Sequence, residues 1–255
     1  MIQLINVSKT FTVDRKQQKE LQLETPIVHA VKDLSFTCQP GRVMGLLGPN
    51  GAGKTTTLRM IATMIQPSTG TVIVNNIDTK TDNNTIRKNL GFLTGSTGLY
   101  MRLTPNELLD YFAGIYALPK NTYLQRRDEL YTLLGMNEFA NKQIGKFSTG
   151  MKQKVSIVRT ILHDPPVVVF DEPTSGLDVI TSENIIELIQ SCKKQNKTVI
   201  FSSHIMNEID LLCDDLVIMN KGKICFNNTM ENFRNTMPAT NITQSFISIV
   251  KNHST

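Results

Sequence analysis

Apolar and polar positions alternate with a period of two in residues 2–7 and 31–37, the signature of half-buried strands. Between them, residues 14–20 are charged and Gln-rich with no apolar side, which reads as a solvated hairpin or loop. Continuous apolar runs of strand length follow at 42–47, 71–74 and 90–93, the second after the turn Pro67-Ser68-Thr69-Gly70. From about 100 to 150 the pattern lengthens to helical spacing, notably in 105–112 and 126–134. Thr104 before Pro105, with Glu107 three residues beyond, predicts a capped helix start. Buried strands return at 167–170, 198–202 and 216–219, and a turn at 221–223 leads to a last strand at 224–226. Helices between these strands predict a parallel sheet covered on both faces. The order therefore predicts an α/β core with an all-helical segment inserted in its middle.

One segment changes this picture from architecture to chemistry. Gly48-Pro49-Asn50-Gly51-Ala52-Gly53-Lys54-Thr55 fills every fixed position of the pattern G-x-x-x-x-G-K-[ST]. It stands between the strand at 42–47 and a helix beginning with Thr56, the context that gives the pattern its meaning. Glycines let backbone N–H groups turn inward on phosphates, at a helix N-terminus that favours anions. Lys54 adds a cation, and the Thr55 hydroxyl is placed to ligate Mg²⁺. The chain is expected to bind a nucleoside triphosphate.

Composition narrows the setting. The 255 residues can form one large α/β domain or a core with a small subdomain, and an apolar fraction of 40% suffices for a real core. Lys and Arg number 27 against 22 Asp and Glu, a net charge of +5 that suits a nucleotide, a nucleic acid or an anionic membrane and decides between none of them. Cys38, Cys192, Cys213 and Cys225 are scattered without a C-x-x-C pair, so reduced thiols and a reducing cytosol are expected. The N-terminus opens on strand-like residues rather than a basic segment followed by an apolar stretch, and no run of about 18 apolar residues occurs, so no membrane span is expected.

Two further segments carry candidate chemistry. The apolar strand at 167–170 ends in adjacent carboxylates, Asp171 and Glu172. Ligands collect at the carboxyl ends of strands in such sheets, which makes Asp171 a candidate Mg²⁺ ligand. Glu172 is a candidate to orient or deprotonate the water that attacks the γ-phosphate. Ser148 and Gly150 open a helical run at 155–162, where they serve either as a simple N-cap or as donors to an anion.

Taken in order, the phosphate loop, helical insertion, Ser-x-Gly helix start, acidic strand, the segment Ser175-Gly176-Leu177-Asp178 and His204 after a strand resemble the ATP-binding cassette of ABC transporters, from about residue 2 to 230. The resemblance implies a P-loop NTPase (RecA-like) core with an N-terminal antiparallel β subdomain and a helical subdomain inserted at about 96–155, together forming residues 1–230. Residues 231–255 are similar to a short helical tail, with 245–250 supplying its apolar face. It implies that Ser148 and Gly150 complete the ATP site of a second copy in a head-to-tail dimer, and that the loop ending at Asp178 links the two sites. His204 matches the family's switch histidine beside the γ-phosphate, and Phe11 its adenine-stacking aromatic. ATP and Mg²⁺ are then held by residues 48–56 including Thr56, with Thr55 and Asp171 at the metal.

Two positions depart from the family pattern. The signature Leu-Ser-Gly-Gly-Gln is here Phe147-Ser148-Thr149-Gly150-Met151, and the glutamine expected after Leu93 is replaced by Gly95, flanked by Thr94 and Ser96. The stretch 91–100 and the charged loop before residue 26 are similar to sodium-extruding members of the family. The implied function is ATP hydrolysis driving export, with Na⁺ a candidate cargo, through a separate integral membrane permease at the cytoplasmic face of the membrane, and without a nucleic-acid partner. A soluble cassette acting on nucleic acid or ribosomes is the alternative; it usually carries two cassettes or a heptad-patterned coiled coil, and neither pattern is present.

Overall fold

The computed structural model describes residues 1–20, 24–95, 98–236 and 242–252. In chain order the first elements are β1 (Ile2–Thr12), α1 (Arg15–Glu20), β2 (Ile27–Cys38), β3 (Val43–Leu47), α2 (Lys54–Ile61), β4 (Thr69–Val74), β5 (Ile77–Asp78), α3 (Asn83–Lys88) and β6 (Leu90–Leu93). Three longer helices follow: α4 (Pro105–Ile115), α5 (Lys120–Leu133) and α6 (Thr149–Ile161). The chain then alternates through β7 (Val167–Asp171), α7 (Val179–Lys194), β8 (Thr198–Ser203), α8 (Met206–Leu212) and β9 (Asp215–Asn220). It closes with β10 (Lys223–Thr229), α9 (Met230–Thr236) and α10 (Ile242–Asn252).

Two sheets organise these elements. The larger has the order β10-β9-β3-β8-β7-β6, and the smaller the order β2-β1-β4-β5. Strands β9, β3, β8, β7 and β6 are parallel, as helical crossovers require, whereas β10 returns antiparallel to β9 through a tight turn. The smaller sheet is antiparallel throughout.

The continuous apolar runs are explained by burial on both faces. In β7, Val168 and Phe170 enter one core with the helices, while Val167 and Val169 enter a second core shared with the smaller sheet. In β3, Val43 and Leu47 face the first core and Met44 and Leu46 the second. Successive side chains point to opposite sides, so a strand packed on both must be apolar at every position. The loops at the carboxyl ends of β3, β7 and β8 are held on this two-sided core.

The helix start at Thr104 forms as its sequence predicts. The Thr104 hydroxyl accepts from the Glu107 N–H at 3.2 Å, and the Glu107 carboxylate accepts from the Thr104 N–H at 2.8 Å. The segment 14–20 departs from expectation: it contains the short helix α1 rather than a hairpin or bare loop. Lys, Gln and Glu are good helix formers, and the helix has no apolar face that would mark it in the sequence. Strand β2 begins at Ile27 and β10 runs to Thr229, so both exceed their apolar-patterned parts. The predicted tail contains α9 and α10, with 237–241 outside the described residues; α10 buries Ser245 and Ile249. Among the described residues, no helix is long and apolar enough to cross a membrane.

Candidate nucleotide-binding and catalytic site

Strand β3 delivers the loop 48–53 into a space too tight for side chains at two of its glycines. A Cβ on Gly48 would lie 2.4 Å from the Met219 carbonyl oxygen. Gly53 has φ 102° and caps α2, and a Cβ there would lie 2.5 Å from the Ala30 carbonyl oxygen. Only glycine combines that backbone with that approach. Lys54 therefore begins α2, with its side chain folded back over the loop. Its ammonium donates to the Gly48 and Pro49 carbonyl oxygens at 2.7 and 3.3 Å, and stands 3.8 Å from Glu172 Oε1. Burial lowers the Lys54 pKa, opposed by the charges of Glu172 and Asp171.

The loop floors a cleft of about 640 Å³, walled on the other side by Phe11, Ile27 and Val28 of the β1–β2 hairpin. Residues Asn50 to Thr56 and Glu172 all line it. Phe11 is 39% exposed and carries the Lys9 ammonium 5.1 Å from its ring centroid. An aromatic wall opposite a floor of loop amides and a lysine suits a base joined to a phosphate chain.

At the end of β7, Asp171 lies beside Ser202 of β8 in the parallel register. Asp171 Oδ1 accepts from Ser202 Oγ at 2.7 Å and from Thr55 Oγ1 at 3.2 Å. Asp171 is buried, and Thr55 and Asp171 together present hard oxygen donors beside the phosphate loop. Mg²⁺ favours one or two such protein ligands with phosphate oxygens completing its shell, so this pair fits the ion. Among the described residues there is no cluster of three or more His, Cys, Asp or Glu that could hold a metal.

Glu172 follows in a left-handed conformation (φ 50°), uncommon for a residue with a side chain. Its N–H donates to both Ser202 O and Ser202 Oγ, at 3.2 and 3.0 Å. This turn aims its carboxylate back at the loop, with Oε1 toward Lys54 and Oε2 3.4 Å from His204 Nδ1. Ser203 Oγ accepts from the Ile205 N–H and donates to the buried Glu208 carboxylate, which fixes the bend that carries His204.

The remaining candidates gather elsewhere. Ser148 caps α6, its hydroxyl accepting from the Met151 N–H at 3.2 Å. Asp178 caps α7, accepting from the Thr181 N–H and hydroxyl, both at 2.9 Å. A Cβ on Gly150 would lie 3.6 Å from Asp178 Oδ2, so Ser148, Gly150 and Asp178 share one region. None of the three lines the cleft that the phosphate loop floors. A second cleft of about 450 Å³ lies between Thr55, Asp171 and Glu172 on one side and Thr149 and Gln153 of α6 on the other, with Gly95 at its edge. A side chain at Gly95 would meet nothing within 4 Å; Ser96 lies outside the described residues.

Sequence reasoning missed Ser202, which joins the two carboxylate positions, and Lys32, His29 and Lys221, which line the larger cleft. The serine pair before His204 was a visible signal, but its partners are set by strand register. Lys221 sits in a turn that reads only as punctuation.

This fold and site define a phosphate-loop ATPase with a helical insertion, and residues 31–175 match the family model described as ABC transporter. The chain belongs to the ABC transporter family: it is an ATP-binding subunit and an ATPase. It is 39% identical over 249 residues to the ABC transporter ATP-binding protein NatA of Bacillus subtilis (strain 168), covering 97% of each chain. It is 37% identical over 196 residues to the bacitracin transport ATP-binding protein BcrA of Bacillus licheniformis, covering 76% of this chain and 63% of that one. A solved ATP-binding subunit of an ABC transporter superposes with a TM-score of 0.86 at 25% identity, covering 98% of this chain and 99% of the other. A dimeric cassette in a post-hydrolysis state, bound to ADP and Pi, superposes at 0.78 with 25% identity, covering 90% and 99%.

Ser202→Ala tests the bracing of the carboxylates. It deprives buried Asp171 of a donor, which should cost about 1–3 kcal/mol of stability by denaturant unfolding. Unchanged stability would show that Thr55 and backbone contacts suffice.

Proposed function

We propose that the chain is the ATP-hydrolysing subunit of an exporter, working as a head-to-tail pair on a separate integral membrane permease at the cytoplasmic face. The observation that carries this reading is the placement of Glu172, between Lys54 and His204 at the mouth of the phosphate-loop cleft. Loop amides of residues 48–56 and Lys54 hold the β- and γ-phosphates, and Phe11 stacks on the base. Thr55 and Asp171 would hold Mg²⁺, which when bound would neutralise phosphate charge. Glu172 accepts a hydrogen bond from the attacking water, and His204 steadies its carboxylate and meets the γ-phosphate. Such catalysis is positioning and charge stabilisation, so one subunit alone is slow. Ser148 and Gly150 of the second copy supply the missing donors, and Asp178 orders the loop between the sites.

Exposed apolar side chains support the membrane partner. Tyr111 and Ile115 stand one turn apart on α4, 54% and 57% exposed, beside Tyr100 and Met101 in the loop that follows β6. Tyr100 and Tyr111 meet edge to face with centroids 6.2 Å apart. A cluster of large exposed apolar groups suits a protein partner. Sodium ion is the proposed cargo, on the sequence resemblance to sodium-extruding subunits and the full-length likeness to NatA. Selection of the cargo falls to the permease.

Glu172→Gln should preserve ATP binding while steady-state hydrolysis falls by at least about a hundredfold. Turnover near the wild-type rate would exclude Glu172 as the group that positions the attacking water. In cells expressing the whole transporter, Tyr111→Glu with Ile115→Glu should shift the chain from membranes to the soluble fraction and leave ATP binding unchanged. Retention on membranes would place the docking surface elsewhere.

A further inference from the structure

Strand β9 ends at Asn220 and passes through Lys221 and Gly222 into β10. Both turn residues have left-handed backbone, with φ 48° at Lys221 and 81° at Gly222. Glycine and asparagine adopt that conformation readily, whereas lysine does so at a cost. Among the described residues, the non-glycine residues of positive φ that line the phosphate-loop cleft are Glu172 and Lys221. Positive φ at both central residues is what a two-residue hairpin turn between twisted strands requires, so the turn fixes where Lys221 stands.

The turn is bonded directly to the phosphate loop. The Gly222 N–H donates to the Ala52 carbonyl oxygen at 3.0 Å, and the Gly222 carbonyl accepts from the Lys32 N–H at 2.7 Å. Lys221 and Lys32 are thereby brought to the same rim of the cleft, both exposed. Among the described residues neither ammonium has a hydrogen-bond or ion-pair partner, while Lys54 is matched by two carbonyls and Glu172.

We propose that Lys221, with Lys32 beside it, is a further nucleotide-binding residue that meets the phosphate chain on its α-phosphate side. The start of α2 and Lys54 take the β- and γ-phosphates, and the hairpin bearing Phe11 takes the base. The Lys221 turn is tied to both, through Ala52 of the loop and Lys32 of β2, so its cation falls on the stretch between base and β-phosphate. ATP and ADP share that stretch, and Lys221 holds both equally. The inference rests on reading this cleft as the ATP site.

The test is calorimetric titration of the full chain with ATP and ADP, together with melting in the absence of nucleotide. Lys221→Asn should raise the Tm by about 2–4 °C, since asparagine relieves the turn. The same change should weaken ATP and ADP by one common factor of about three- to tenfold. Lys221→Arg should keep the affinity. The proposal is overturned if Lys221→Asn leaves both affinities unchanged, or lowers stability and affinity together as a merely structural residue would. Lys54→Ala is the control for the cleft and should weaken ATP more than ADP. Should Lys54→Ala bind ATP normally, the reading of the cleft fails, and the proposal with it. If Lys54→Ala weakens ATP and Lys221→Asn does not, the assignment of Lys221 alone is wrong.

Discussion

The buried carboxylate of Asp171 ties together two strand ends and the start of a helix. Its Oδ1 takes hydrogen bonds from Thr55 at the head of α2 and from Ser202 on β8, while its own backbone ends β7. A charge removed from water persists only where donors compensate it, so Asp171 constrains each neighbour as much as they constrain it. The phosphate loop, the acidic strand end and the strand leading to His204 are held in mutual register by this one group. Thr55, Asp171 and Ser202 are thus held in place by one another, and preorganised charge of this kind is what catalysis by electrostatic stabilisation requires.

Glu172 depends on the same brace. Its left-handed backbone is stabilised by two bonds from its N–H to Ser202, and that turn directs its carboxylate to Lys54 and His204. Neighbouring carboxylates in a strand would point to opposite faces; the turn after Asp171 brings the second back to the mouth of the cleft. The groups of α6 and α7, Ser148, Gly150 and Asp178, stand apart from that cleft and next to each other. Thr149, between Ser148 and Gly150, lines the smaller cleft with Thr55, Asp171 and Glu172.

Local features of the fold were legible from sequence because their causes are local. The phosphate loop declares itself through glycines demanded by backbone approach at Gly48 and Gly53. The Thr104–Glu107 cap and the two-sided strands are likewise written within a few residues. What escaped depends on register or on tertiary placement. Ser202 acquires its role only because β7 and β8 pair Asp171 with it. Lys221 reaches the cleft only because its turn bonds to Ala52. Helix α1 escaped for another reason: six charged and amide residues form a solvated helix without the apolar face that reveals one.

Whether each chain carries half of a shared site is measured by sedimentation velocity of Glu172→Gln, alone and combined with Ser148→Arg, in ATP and in ADP. On the proposed reading, Glu172→Gln should be a monomer without nucleotide and with ADP, and a dimer with ATP, since a ligand shifts an equilibrium only by contacts made in one state and not the other. The double variant should bind ATP and remain a monomer. A double variant that still dimerises with ATP would contradict the assignment of Ser148 to the opposing site.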